Sequence, residues 1–134
     1  MRSVKSVLLL ALVVGACSDT TGPGFVAGKW AQDFSFPGSY LEMSLTNDAG
    51  TISGNGDWCA EAGPCGTVAV TGTTTGVAVQ LDLALTATLP SGVQTYVQHF
   101  DGHLASFGSL QGSLTVQSPD QPPLVIGQVS YHRE

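Results

Sequence analysis

Basic residues are scarce in this sequence. The chain of 134 residues has 4 Lys and Arg against 10 Asp and Glu, which gives a formal net charge of −6 at pH 7. Two of the four basic residues, Arg2 and Lys5, lie within the first five positions. A nucleic-acid partner needs Lys and Arg to neutralise its phosphates, and attachment to anionic lipid headgroups needs the same side chains. The composition therefore argues against both kinds of electrostatic partner.

Long apolar runs are also rare. The one unbroken run, residues 7–14, is shorter than the roughly 20 residues that a membrane-spanning helix requires. Arg2 and Lys5 precede it, and the small residues Gly15 and Ala16 follow it. A basic start, a short apolar stretch and small residues before a cut are typical of a secretory signal peptide. The sequence predicts a signal peptide over residues 1–16 and no transmembrane helix in the exported chain.

The end of this segment, "VGAC" from Val14 to Cys17, resembles the bacterial lipobox. The resemblance implies that Cys17 becomes the mature N-terminus and carries a diacylglycerol and an N-acyl chain such as palmitate. Two or more chains hold a protein stably on a membrane, whereas one holds it only marginally. Ser18 rather than Asp after the cysteine favours the outer membrane of a Gram-negative cell envelope. The alternative is an ordinary cut after Ala16, which would leave Cys17 as a free thiol.

Only two further cysteines are present, Cys59 and Cys65 in "CAEAGPC". An exported protein meets an oxidising compartment, and Gly63 and Pro64 between the two cysteines allow the chain to turn. The expected state is therefore a disulfide. No second Cys/His cluster stands at zinc spacing, so no metal is predicted, and the C-x-x-C spacing of redox pairs is absent.

A sustained helical period is missing, and 17 glycines disfavour long helices. Apolar residues instead alternate with polar ones, as in "VAVQLDLALT", which places Val77, Val79, Leu81, Leu83 and Leu85 on one face. One buried and one solvated face per strand is typical of antiparallel sheets. A tether at 17–25 and one all-β domain at 26–134 are expected. Eight strands are predicted, at about 27–34, 39–46, 51–57, 66–73, 76–87, 94–104, 108–117 and 124–132. Their short links favour a single antiparallel meander closed as an up-and-down barrel, with a β-sandwich as the alternative.

The first predicted strand contains "GKW" (Gly28 to Trp30), and the last contains "YHRE" with Arg133. This pattern resembles the calycins, the group of lipocalins and avidins, whose eight-stranded barrel opens on G-x-W. The resemblance implies that Trp30 packs across one end of the barrel and that Arg133 lies against it. An indole covered by a guanidinium is a favourable cation–π pair.

Residues of catalytic or metal-binding type cluster only in "HFDGH", at His99, Asp101 and His103. They share one face of a strand, but a rise of about 3.3 Å per residue separates the two histidines by roughly 13 Å. One metal ion could reach both only if Gly102 allowed a bulge. Their face is opposite the apolar one, so solvated side chains are expected. His132 has no identifiable partner. No G-x-S-x-G motif occurs, and we expect no catalytic residues and no cofactor.

The expected interior is mostly apolar, and only Tyr96, Gln98 and Gln128 could supply polar groups there. An eight-stranded barrel either fills with side chains or holds one small ligand. The sequence therefore favours an envelope lipoprotein that is not an enzyme and that binds a small apolar ligand in the barrel or at its mouth. The alternative is a structural protein with a filled core that contacts another envelope protein through an exposed apolar patch.

Overall fold

The structure, a computed structural model, describes residues 26–33, 38–106, 108–118 and 121–134. The predicted signal peptide (1–16) and the tether (17–25), with the lipidation candidate Cys17, lie outside these residues. The structure contains eight β-strands: β1 Gly28–Gln32, β2 Tyr40–Asp48, β3 Thr51–Cys59, β4 Cys65–Thr75, β5 Ala78–Leu89, β6 Gly92–Ser106, β7 Ser109–Gln117 and β8 Leu124–Arg133.

The strands form one closed antiparallel barrel. Each strand pairs with the next along the chain, and β8 returns to pair with β1. The closing seam has three register pairs, Trp30↔Arg133, Ala31↔His132 and Gln32↔Tyr131. The predicted all-β meander is confirmed, and the barrel is correct rather than the sandwich. In the described parts of the chain, no helix is long and apolar enough to cross a membrane.

The period-2 alternation explains which side chains enter the barrel. On β5, Leu81 and Leu83 are fully buried, whereas the intervening Asp82 is exposed. On β6, Phe100 is buried and packs edge-to-face on Tyr131, with ring centroids 5.2 Å apart. The other buried apolar side chains belong to the same core: Val26, Trp30, Leu41, Met43, Leu45, Ile52, Trp58, Val68, Val70, Val79, Leu85, Ala87, Leu110 and Leu114.

The prediction that Val77 joins this core is wrong. Strand β5 begins one residue later, at Ala78. Gly76 has a φ of +61° and turns the chain between β4 and β5, so Val77 lies in that turn with 62% of its surface exposed. Alternation assigns a face only inside a strand, and the turn ends the pattern before it reaches this residue.

The up-and-down topology gives the barrel two different ends. One end carries the links β2–β3, β4–β5 and β6–β7 together with Val26 and the C-terminal residues, and it is called the closed end below. The opposite end carries the links β1–β2, β3–β4, β5–β6 and β7–β8, and it is called the mouth.

Candidate functional site

Trp30 fills the closed end. Its side chain is fully buried, and its indole Nε1 donates a hydrogen bond of 2.8 Å to the carbonyl oxygen of Val26. The guanidinium carbon of Arg133 lies 4.4 Å from the centre of the indole ring, and Arg133 Nη1 donates to the Ala27 carbonyl over 2.7 Å. The residues that the calycin resemblance pairs are therefore in contact. They leave this end of the barrel covered by an aromatic ring and a cation.

Gly28, the glycine of the G-x-W pattern, makes this arrangement possible. Its φ of +128° lies in a region that L-amino acids rarely adopt. A Cβ atom at this position would lie 2.7 Å from Arg133 Nη1. Only glycine therefore allows the backbone to take this conformation while the guanidinium reaches the indole.

The mouth, by contrast, contains a cavity of about 610 Å³. This volume is within the range of roughly 300–1,000 Å³ that small-molecule sites occupy. The wall contains residues from seven of the eight strands and from the links at this end: Gln32, Asp33, Ser39, Tyr40, Leu41, Trp58, Cys59, Ala60, Glu61, Pro64, Leu85, Tyr96, Gln98, Val116, Ile126, Gln128 and Val129. All three polar residues expected to face inward border the cavity, but only Tyr96 and Gln98 do face inward. The expectation for Gln128 is wrong, because it pairs with Ser113 and lies exposed on the face of β8 opposite the buried Tyr131.

Two glutamines in the wall have carbonyl oxygens without a partner. Gln32 Oε1 and Gln98 Oε1 are both buried, and neither accepts a hydrogen bond. Tyr96, two residues before Gln98, differs because its hydroxyl donates to Gln94 Oε1. Buried acceptors are nearly always paired in native proteins, so each unpaired one points to a missing donor.

Tyr131 is a third buried polar group without a partner. It is the register partner of Gln32 across the seam, its hydroxyl is unpaired, and its side chain is fully buried. Burial raises the pKa of the Tyr131 phenol well above its ordinary value of 10.0, because the phenolate would be stranded away from water. The hydroxyl therefore stays protonated at neutral pH.

Trp58 and Gln32 are cavity residues that the sequence reasoning did not identify. Trp58 Nε1 donates to the Thr67 carbonyl over 3.1 Å, and the ring lies beside Gly66, where a Cβ atom would be 3.0 Å from Nε1. The sequence pattern that could have identified them is the alternation of inward and outward residues along each strand. Trp58 shares a face with Ile52, and Gln32 shares a face with Trp30, so both continue the inward series toward the mouth.

A disulfide closes one side of the rim. Cys59 and Cys65 end β3 and begin β4, and their sulfur atoms are 2.02 Å apart, as the predicted pairing requires. Ala60 N donates to the Pro64 carbonyl over 3.0 Å inside the same loop. The covalent link and this hydrogen bond fix the β3–β4 loop. This loop supplies Ala60, Glu61 and Pro64 to the cavity wall, and the end of β3 supplies Trp58 and Cys59.

The charges near the cavity are negative. Asp33 and Glu61 are the charged residues of its wall. Lysine and arginine occur in the described residues only at Lys29 and Arg133, and both lie toward the closed end. The cavity wall therefore lacks a cationic side chain among the residues that the structure describes.

Asp33 links the end of β1 to β8 on the mouth side of the seam between these two strands. Its carboxylate accepts a hydrogen bond of 2.6 Å from the Ser130 hydroxyl and lies 2.6 Å from His132 Nδ1. The hydrogen bond from Ser130, and then the one from His132, hold the pKa of Asp33 below its ordinary value of 3.8. The expectation that His132 has no partner is therefore wrong, because its partner is 99 positions away in sequence. Asp33 lies between Ser130 and His132, so the histidine is not placed to take the serine proton as in a Ser–His–acid triad.

The "HFDGH" cluster stays on the outer surface. His99, Asp101 and His103 are exposed, and His99 Nδ1 lies 2.6 Å from Asp82 on the neighbouring strand. Gly102 pairs with Gly112 in regular register, so β6 has no bulge there that would bring the histidines together. In the described part of the chain, no group of three or more His, Cys, Asp or Glu is arranged to hold a metal ion.

The fold and the cavity together define a small up-and-down β-barrel with one closed end and one open, mostly apolar mouth. Comparison with protein-family models found no match. Searches of curated proteins and of solved structures found none either.

Proposed function

We propose that this protein is a lipid-anchored lipoprotein of the bacterial cell envelope, and that its calycin-like barrel binds a small, largely apolar ligand without being an enzyme. The observation that carries the binding proposal is the cavity at the mouth. Its wall combines apolar side chains such as Trp58, Leu85 and Val116 with a few polar groups, which is the usual composition of a small-molecule site.

The calycin-like assignment rests on the closed end. The Trp30 ring under the Arg133 guanidinium, the glycine that allows it and the eight-stranded meander all correspond to what the G-x-W resemblance implies. The anchor rests on the sequence from Val14 to Cys17. Val26, the first described residue, lies at the closed end, where its carbonyl accepts from Trp30. If the chain is anchored through Cys17, the tether would reach the barrel at its closed end, and the mouth would be at the end away from the anchor.

Mass spectrometry of the protein extracted from membranes of its own cells tests both parts. The intact mass is expected to correspond to a chain that begins at Cys17 with a diacylglycerol and an acyl chain attached. A Cys17→Ser variant is expected to leave the membrane fraction. An unmodified Cys17 in membrane-derived protein would overturn the anchor.

The binding proposal is tested on the same preparation under native conditions. A small-molecule adduct of one per chain is expected, and a Leu85→Trp substitution that fills the cavity should abolish it. Val97→Trp on β6, outside the cavity wall, is the matched control and should retain the adduct. A protein that carries no adduct and binds no apolar probe would contradict the proposal.

A second candidate function is a structural or protein-interaction role in the envelope. The observation that favours it is the exposed apolar run Leu124 to Ile126 at the start of β8, in which Val125 is 71% exposed. Exposed apolar patches commonly mark interaction surfaces. In-cell crosslinking from position 125 would capture a specific envelope protein if this role is correct. Loss of that crosslink in a Leu124→Ser, Ile126→Ser variant would assign the contact to this run.

A further inference from the structure

The two unpaired glutamine oxygens restrict what the cavity can bind. Gln32 is on β1 and Gln98 is on β6, and two strands separate them around the barrel. Both side chains belong to the cavity wall, and both carbonyl oxygens are buried without a donor. Two glutamines on different sides of the cavity therefore carry a carbonyl oxygen that no described protein group satisfies.

A ligand with an N–H or O–H group could donate the hydrogen bonds that these two glutamine oxygens lack. A buried acceptor without a partner is unfavourable in the empty protein, and a donor on the ligand removes that penalty when it binds. A ligand group that only accepts hydrogen bonds cannot do so, because it would place a second acceptor against the first.

The charge distribution adds an independent restriction. Asp33 and Glu61 are in the wall, and it has no lysine, arginine or histidine among the described residues. An anionic headgroup in the cavity would lose much of its hydration without gaining a cationic side chain to offset its charge, which is unfavourable. A neutral or positively charged headgroup avoids this cost.

The rest of the wall suits the apolar part of such a molecule. Trp58, Leu85 and Val116 present apolar surface in the same cavity, and burial of an apolar chain against them favours binding. The ligand is therefore expected to have an apolar body and one polar end.

We infer that the ligand is a non-anionic amphiphile with a hydrogen-bond-donating headgroup, such as an alcohol, an amide or an amine, and that Gln32 and Gln98 accept from this headgroup. Fatty acids and other anionic amphiphiles are correspondingly poor ligands. The inference rests on the proposed binding function and names the ligand class of that same cavity.

Four probes with the same alkyl chain separate these chemistries: decanol, decylamine, 2-decanone and decanoate at neutral pH. Each is titrated below its micelle concentration into the full-length processed protein, and binding is followed by native mass spectrometry and by intrinsic tryptophan fluorescence, to which Trp30 and Trp58 both contribute. Decanol and decylamine are expected to bind on the order of tenfold more tightly than 2-decanone, because only they donate to the glutamines. Decanoate is expected to bind most weakly.

Two variants test whether the glutamines cause this order. Gln98→Met and Gln32→Met keep the side-chain length but remove the acceptor, and each should reduce the preference for decanol over 2-decanone. Gln80→Met, on the exposed outer face of β5, is the control and should leave the order unchanged.

The outcomes distinguish the two proposals. If decanoate or 2-decanone binds as tightly as decanol, or if the preference survives in both glutamine variants, the inference about the headgroup is wrong while binding itself stands. If none of the four probes binds and the protein also carries no adduct from its own cells, the proposed binding function fails and the inference fails with it.

Discussion

The two tryptophans of this chain lie at opposite ends of the barrel, and their surroundings differ. Trp30 at the closed end is fully buried under Arg133, the indole Nε1 donates to the Val26 carbonyl, and the guanidinium donates through Nη1 to the Ala27 carbonyl. Trp58 at the mouth also donates to a backbone carbonyl, but it borders a cavity whose glutamine oxygens are unpaired. One end is arranged for stability, and the other retains polar groups that stability does not explain.

The largest expected effect is at the closed end. Trp30→Ala should lower the free energy of unfolding by about 3–5 kcal/mol, because it removes a large buried side chain and leaves a cavity under Arg133. Guanidinium denaturation followed by circular dichroism measures the loss. Trp58→Ala is the matched variant at the mouth and should cost less, since the ring already borders open space. An equal or greater loss of unfolding free energy for Trp58→Ala would show that the mouth contributes to stability as much as the closed end does.

The disulfide should have the next largest effect. Replacing Cys59 and Cys65 by alanine is expected to reduce stability by about 2.4 kcal/mol in the chain-entropy model, given the short loop that the bond closes. Hydrogen exchange should become faster in the β3–β4 loop at the mouth, whereas the amides around Trp30 should be unaffected. Faster exchange spread evenly over both ends would show that the bond does not act locally on the rim.

Acid should weaken the seam through Asp33. The pKa of this carboxyl in the folded protein lies below its ordinary value of 3.8, so the ionised form favours folding. This contribution is complete at neutral pH and is lost as the pH falls below about 4, toward the folded pKa. Because the side chain is about half exposed, the effect is expected to be small.

An Asp33→Asn variant tests this assignment. It should lose stability at neutral pH and show a shallower decline in acid than the unaltered protein, as measured by denaturation midpoints from pH 7 to pH 3. Asp101→Asn removes the same charge from the outer face of β6 and serves as the control. If both variants have the same pH profile, the hydrogen bonds of Asp33 do not stabilise the seam.

The smallest expected effect is at the mouth. Gln98→Leu should change the unfolding free energy of the empty protein little, or raise it, because it replaces an unpaired buried acceptor by an apolar side chain. Thermal denaturation of the ligand-free protein measures this. A loss as large as that of Trp30→Ala would mean that Gln98 stabilises the fold rather than serving a ligand.

Alternation along the strands was the most informative part of the sequence. It placed Leu81, Leu83 and Phe100 inside the barrel and the "HFDGH" histidines outside, because inward and outward orientation is a property of consecutive residues on one strand. It failed at Val77, where a turn interrupts the strand. It also identified Tyr96 and Gln98 as inward polar residues, although it did not show that they border an open cavity. It failed at Gln128, where an irregularity in the β7–β8 register leaves this side chain on the outer face.

Local chemistry along the chain was sufficient for the strands, the turns and the pairing of Cys59 with Cys65, since each depends on neighbouring residues. The closed barrel, the Asp33–His132 contact and the unpaired glutamine oxygens were decided only by the tertiary structure. They depend on how β1 meets β8 and on how much volume the inward side chains leave at one end. Pairing across almost the whole chain, and the space left after packing, are properties of the assembled barrel that no local pattern contains.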